Sequence, residues 1–316
     1  MILIRSECFD LAWNLALEYY FSLEKKLGDR VFVLWRADPT VIIGKYQNLR
    51  AEVNLAYTAA NRIAVVRRLS GGGAVYADRG NIMYTFLEPA GEEISFAPYL
   101  SRMCEALHSL GYPAEISGRN DLIAGGRKFS GNSQYIRDGM CIHHGTLLYD
   151  SDLTVLEQAT TPSPEKLATK GIRSVRERVC NLREFTPERT AEQFIDALAA
   201  AMGELTLYHP TPEDLARIDA IACEHFRGEK NLEGRDPASL LTRSARFSGG
   251  EITAELDLMG GMLRAVSFSG DFFGDADALS ARLAGIPYTA EALREAIPTS
   301  PFPGISREEL LELLAP

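Results

Sequence analysis

Two short segments combine a cation with an unusual density of glycine. In "RRLSGGGAVYADRGN", Arg67 to Asn81, three consecutive glycines follow a pair of arginines and precede a strand-like run. Glycine in or beside a strand weakens it, so a triplet implies either a turn that needs positive φ or something lying directly against the backbone. Arg68 beside it is a planar, bidentate cation suited to phosphate. The segment is no Walker A loop, because it lacks G-K-[ST] and no helix-forming run follows, and it is no dinucleotide fingerprint. Alone, it is equally well a wide hairpin turn with an arginine facing solvent.

The second segment is "GRNDLIAGGRKFSGN", Gly118 to Asn132. Gly125-Gly126 between "DLIA" and "RKFS" is the pattern of a two-residue hairpin. That turn pairs Ala124 with Arg127, Ile123 with Lys128, Leu122 with Phe129 and Asp121 with Ser130. Period two then puts Asp121, Ile123, Lys128 and Ser130 on one face, with Asp121 and Lys128 diagonal neighbours roughly 7 Å apart at Cβ. By itself this is an exposed ion pair of little energetic weight. Downstream, "CIHHGTLLYD" (Cys141 to Asp150) places Cys141, His143 and Gly145 on one face and Ile142, His144 and Thr146 on the other. The two histidines therefore serve different surroundings, and His144 is the one assigned to a pocket. They point apart, which argues against zinc. Cys141 shares a face with His143, so a Cys-His nucleophile is chemically conceivable, although such a cysteine is more often a small buried hydrophobe.

Several elements must hold these segments. "MILIR" reads as a strand, and Asp10 caps a helix whose Leu11, Leu15 and Tyr19 share a face. "VFVLW" and "TVIIG" are short buried strands, and "IAVVRRLS" and "AVYADRGNIMYTFL" flank the glycines. Helices are expected at "APYLSRMCEALHSLG", after Asp152, after Thr190 with its capping partner Gln193, and from Pro212 to about Phe226. The polar run "GEKNLEGRDPAS" (228–239) reads as a linker. It divides a domain of residues 1–232 from a smaller one of residues 240–316. In the latter, "GEITAELDLMGGMLRAVSFSG" forms two alternating strands about Gly260-Gly261, and short helices follow near Asp275, Thr289 and Ser306.

Composition bounds the function. The chain has 316 residues, 46% of them hydrophobic and 24% charged, and a formal charge of −10. That charge opposes non-specific binding to nucleic acid or to an anionic membrane. Five scattered cysteines without a C-x-x-C pair suit a reducing, cytoplasmic setting, and no run has the length and apolarity of a membrane span or signal peptide.

In this order and at these spacings, "RRLSGGGAVYADRGN", "GRNDLIAGGRKFSG" with "HHGTLL", and "GIRSVRERVCNL" (Gly171 to Leu182) resemble lipoate-protein ligase A. "LWRADPTVIIGKYQN" matches that family's early strand pair. The resemblance spans most of residues 1–230, and the smaller domain has the position and size of the family's accessory domain. It implies an α/β (α+β) fold: a biotin/lipoate-ligase catalytic domain with a mixed, largely antiparallel sheet flanked by helices, plus a small α+β domain. It further implies that lipoate attacks the α-phosphate of Mg-ATP, pyrophosphate leaves, and an acceptor lysine takes the lipoyl group from the adenylate. The implied acceptors are the lipoyl domains of 2-oxoacid dehydrogenase complexes and the glycine-cleavage H protein.

Carried over by position, Lys128 is the catalytic residue and touches both the lipoyl carbonyl and the phosphate. Arg68, Gly73, Ala74, Val75, Tyr76, Asp121, Gly171, Ser174 and Val175 belong with ATP or the adenylate. Ser70, Gly71, Gly72, Gly73, Lys128, His144 and Gly145 belong with lipoate, and no residue is assigned to a metal. Asn81 matches a further motif position. On this reading the glycines leave room for a long, thin acyl chain. One position departs, since the family's motif has histidine where this chain has Ala77. The alternatives are an octanoyltransferase or lipoyl amidotransferase working through Cys141 without ATP, and a non-catalytic lipoate-binding protein.

Overall fold

The computed structural model describes residues 1–47, 49–91, 93–160, 178–232, 241–259 and 262–315. An eight-stranded sheet dominates. It is built from β1 (Ile2–Arg5), β2 (Val31–Trp35), β6 (Asn81–Pro89), β7 (Ala114–Ser117), β8 (Asp121–Ala124), β9 (Arg127–Arg137), β10 (Met140–Leu148) and β11 (Thr206–Leu207), in the order β11-β1-β2-β6-β10-β9-β8-β7. Only β11, β1 and β2 run parallel, so the sheet is mixed and largely antiparallel, as the resemblance implied.

Both faces of this sheet are covered, which explains why "VFVLW" is apolar throughout instead of alternating. Phe32 and Leu34 enter one core with Leu100, Leu107, Phe194 and Leu198, from helices Ala97–Ser109 and Ala191–Ala201. Val31, Val33 and Trp35 enter the other, against helices Leu11–Tyr19 and Pro212–Ile221. Asp10 caps the first of these by accepting from Ala12 N–H at 2.9 Å, a contact worth about 1 kcal/mol. The expected capping box at Thr190 is present, and Thr211, which opens the helix from Pro212, forms a further one with Asp214.

A three-stranded sheet of β3 (Thr40–Ile43), β4 (Ala64–Arg67) and β5 (Val75–Ala77) carries the glycine loop between β4 and β5. A four-stranded antiparallel sheet follows, of β12 (Leu241–Phe247), β13 (Gly250–Met259), β14 (Met262–Asp271) and β15 (Ile286–Pro287). It packs with helices Ala276–Leu283, Ala290–Ala296 and Arg307–Leu314 around its own core. The sequence reading had no strand for β12, while the Gly260-Gly261 turn lies outside the described residues.

The linker reading needs a correction at its start. Glu229–Leu232 is a helical turn, and Arg67 donates to the carbonyls of Asn231 (3.2 Å) and Leu232 (2.5 Å). Its polar composition is that of a short helix anchored by a buried arginine. The two units also exchange side chains. Phe273 of the C-terminal unit sits in the large core, while Tyr46 enters the small one and stacks on Phe272 at 4.9 Å.

Candidate functional site

The central geometry is a row of residues crossing five strands. Trp35 on β2 pairs with Met83 on β6, and Met83 pairs with Thr146 on β10. The Thr146 hydroxyl then accepts from the Gly131 N–H of β9 at 3.1 Å, and Gly131 pairs with Asp121 on β8. Strands lie about 4.8 Å apart, so the row spans roughly 19 Å. Its side chains change from apolar to charged along that length. They line one cavity of about 450 Å³, to which Leu15, Ile42 and Val75 add apolar surface and Arg119, Lys128 and Arg178 add positive charge. A slot of this shape takes a long molecule with an oily body and an anionic head.

Lys128 stands at the charged end, with its Nζ 2.7 Å from Asp121 Oδ1. The ion pair was expected, but the register behind it differs. A bulge shifts the hairpin after Ile123–Lys128, so Leu122 faces Ser130 and Asp121 faces Gly131. The extra residue, Phe129, is fully buried in the large core, a packing demand that period-two alternation does not contain. Gly131 is what lets the pair form. A Cβ there would lie 3.1 Å from the Lys128 ammonium. Just outside, Val179 bridges to Lys128 in parallel, and Cys180 N–H donates to the Lys128 carbonyl at 2.9 Å. Gly171, Ser174 and Val175 lie outside the described residues.

The glycine triplet has a different explanation from the one its sequence suggested. A Cβ on Gly71 would lie 2.0 Å from the Phe272 carbonyl oxygen, and Gly72, at φ +90°, donates its N–H to that oxygen at 2.9 Å. Gly73 faces the Asp271 carboxylate, which lines the same cavity. The close approach is therefore made in the first instance by the C-terminal unit, while Gly72 and Gly73 also border the slot. Arg68 borders it too, yet the residue is only 5% exposed, and its guanidinium donates to the carbonyls of Gly71 (2.6 Å) and Gly73 (2.9 Å). Burial pulls its pKa down to about 10, well above neutrality, so it remains a cation.

The other expected residues fall in three places. Ala74, Val75, His144 and Gly145 line the cavity. Gly145 is required there, because a Cβ would lie 2.2 Å from Asn132 Oδ1 and 2.5 Å from the Tyr84 ring. Ser70 is fully buried behind the loop. The Tyr76 side chain packs into a small core with Val41, Ile43 and Ile63, and Asn81 donates to the Tyr76 carbonyl at 2.9 Å. Ala77 is fully buried in the core beside Trp35.

His143 and Cys141 point away from the slot. His143 is fully buried and stacks on Tyr99 at 4.3 Å, and burial holds it well below the usual histidine range. Cys141 is buried in the large core, accepts from Gln134 Nε2 at 2.7 Å, and has its thiol pushed up by that burial. A raised pKa in an apolar site is the opposite of an activated thiolate. Cys141→Ala is therefore expected to keep acyl-transfer turnover within a few-fold. A folded but inactive variant, with a thioester trapped on wild-type Cys141 by mass spectrometry, would reverse this.

Sequence reasoning missed Trp35, Met83, Gly131, Arg119 and Glu18. Arg119 joins the two units: it lies 4.4 Å over the Phe273 ring and donates to the carbonyls of Gly249 and Pro303. Its only sequence signal was its place in "GRNDL".

Comparison with known proteins adds the following. Residues 10–203 match the family model of the lipoyl protein ligase A/B catalytic domain, and residues 236–314 that of the bacterial lipoate protein ligase C-terminus. The chain is 34% identical to lipoate-protein ligase LplJ of Bacillus subtilis (strain 168), over 95% of this chain and 96% of that one. It is also 34% identical to lipoate-protein ligase 1 of Staphylococcus aureus, over 97% of each. Among solved structures, Plasmodium falciparum LipL1 in complex with lipoate superposes with a TM-score of 0.76 at 23% identity, covering 94% of this chain and 93% of that one. A lipoate-protein ligase A bound with ATP gives 0.61 at 24% identity, covering 73% and 98%. At those identities the structures speak for the fold alone.

Proposed function

The chain belongs to the lipoate-protein ligase family and is an enzyme of that class, and from this we propose that it couples lipoate activation by ATP to lipoyl transfer. In the first half-reaction the lipoate carboxylate attacks the α-phosphate, pyrophosphate leaves and lipoyl-adenylate forms. In the second, an acceptor lysine attacks the acyl carbon and AMP leaves. The observation that carries this reading is the row from Trp35 and Met83 to Asp121 and Lys128, which is oily at one end and cationic at the other.

Each part of the slot then has a task. Trp35, Met83, Leu15 and Val75 bury the acyl chain, with each methylene removed from water contributing about 0.8 kcal/mol. Asp121 takes one of the three Lys128 N–H donors and aims the ammonium, leaving the others for the carbonyl and phosphate oxygens. Placed there beforehand, that charge stabilises the transition state more than the ground state. Arg68 holds the glycine loop and contributes positive charge beside the phosphates. Gly73, Ala74 and Val75 offer backbone to the nucleotide, and Gly72, His144 and Gly145 form walls about the lipoyl group, with Ser70 and Gly71 behind them. By the family resemblance, the segment holding Gly171, Ser174 and Val175 is assigned to covering the adenylate.

Mg²⁺ is expected with the nucleotide. Among the described residues no group of three or more histidines, cysteines and carboxylates could hold a metal. The cavity carboxylates Glu52, Asp121 and Asp271 are nevertheless oxygen donors of the kind Mg²⁺ takes alongside phosphates. When bound, it neutralises triphosphate charge.

We assign residues 1–232 to catalysis and residues 240–316 to an accessory role. The acceptors proposed are the lipoyl domains of 2-oxoacid dehydrogenase complexes and the glycine-cleavage H protein, and a Thermoplasma acidophilum ligase with its E2 lipoyl domain is among the similar structures. No described helix is long and apolar enough to cross a membrane, and a cytoplasmic location is proposed. The test is lipoate-dependent exchange of labelled pyrophosphate into ATP. The ligase should support it, whereas a carrier-to-carrier transferase or a binding protein should not.

A further inference from the structure

Beneath the glycine loop lies a buried carboxylate to which the ligase reading gives no task. Glu18, one turn beyond Leu15 on helix Leu11–Tyr19, is 2% exposed, and carboxylates are seldom buried unless paired. Its Oε1 accepts the Thr85 hydroxyl, and its Oε2 lies 2.9 Å from His144 Nδ1. His144 Nε2 is 2.7 Å from Ser70 Oγ, which also accepts Arg68 Nε–H at 3.1 Å. Arg68 in turn holds the Gly71 and Gly73 carbonyls.

Donor counting gives this chain a direction. A carboxylate only accepts, so His144 must present N–H at Nδ1, and in the neutral ring Nε2 is then an acceptor. Arg68 only donates, so the single proton of Ser70 goes to Nε2. With the imidazole neutral, each hydrogen bond is thereby assigned, from Glu18 through His144 and Ser70 to Arg68. A carboxylate, a histidine and a serine in this order also form a nucleophile triad. Here Ser70 is fully buried and its oxygen is occupied by the arginine, so the arrangement holds a loop instead of attacking a substrate.

We propose that Glu18 is a positioning residue for the ligase reaction: by fixing the His144 tautomer it orients Ser70 and Arg68, and through them the glycine loop over the slot. A second tie supports this role, since Ser133 Oγ donates to the Gly71 carbonyl at 2.8 Å and Ser133 pairs with His144 across β9 and β10. The proposal rests on the ligase reading.

Imidazole ¹⁵N NMR of the wild type tests the relay without any variant. The expected spectrum has His144 protonated at Nδ1 and bare at Nε2, and either the reverse tautomer or a ring protonated at both nitrogens would overturn the relay. In Glu18→Leu, where nothing accepts from Nδ1, the proton should move to Nε2. Its kcat should fall roughly ten- to a hundredfold, as for a reacting group misplaced by a fraction of an ångström. Glu18→Gln keeps an acceptor oxygen at nearly the same volume and should recover both most of kcat and the Nδ1–H tautomer of His144; kcat recovered without that tautomer would mean a purely volumetric role and overturn the proposal. Wild-type exchange activity with an unaltered kcat in Glu18→Leu overturns this proposal alone. Absence of lipoate-dependent exchange in the wild type overturns the ligase reading itself.

Discussion

Lys128→Ala should fold normally and lose both half-reactions. Folding is safe because the ion pair with Asp121 is partly solvated, at 41% and 30% side-chain exposure, and such pairs contribute about 1 kcal/mol or less. Catalysis is not safe. The ammonium is the positive charge at the end of the row where an acyl phosphate would sit, so it serves adenylate formation and then polarises the acyl carbon during transfer. Removing one preorganised donor of this kind costs about 3 kcal/mol of transition-state stabilisation, or roughly a hundred- to a thousandfold in rate. Lys128→Arg should rescue poorly, because a wide planar fork cannot occupy the space over Gly131 that a compact ammonium fills. The assays are pyrophosphate release from ATP and transfer from preformed lipoyl-adenylate to a lipoyl domain. If the first alone is slowed, or neither is, the dual role of Lys128 is wrong.

Gly71→Ala is expected to be the most damaging single methyl group in the glycine loop. Its Cβ would stand 2.0 Å from a backbone oxygen, which no rotamer change relieves. The loop and the Phe272 segment must separate, which breaks the hydrogen bond from Gly72 and draws Phe273 out of the large core. Overpacking of this kind costs about 3 kcal/mol, and the melting temperature should fall by roughly 5–10 °C. Gly73→Ala is the control. Its Cβ would meet the Asp271 carboxylate at 3.3 Å, the end of a side chain that can give way, so its melting temperature should stay near wild type. Equal melting of both variants would refute the claim that the C-terminal unit is what requires Gly71.

The sequence alone determined most of the local structure. "VFVLW" and "TVIIG" are short apolar strands, Asp10, Thr190 and Thr211 are capping residues, and Gly125-Gly126 turns a hairpin, all because caps, turns and period-two patterns depend on residues a few positions apart. The Asp121–Lys128 pair was legible for the same reason. The family was legible because three motifs keep their order and spacing along the chain.

Tertiary structure decided what depends on residues far apart in sequence. The row from Trp35 through Met83, Thr146 and Gly131 to Asp121 exists only once β2, β6, β10, β9 and β8 are in register, and no local pattern encodes that pairing. The bulge at Phe129 answers to a core filled by distant helices. Gly71 lacks a side chain because Phe272, two hundred residues away, brings its carbonyl there. Glu18, an ordinary helical residue in the sequence, is placed against His144 only by the packing of the first helix on the sheet. Side-chain types declared which chemistry was on offer; long-range registration and packing decided which of them meet.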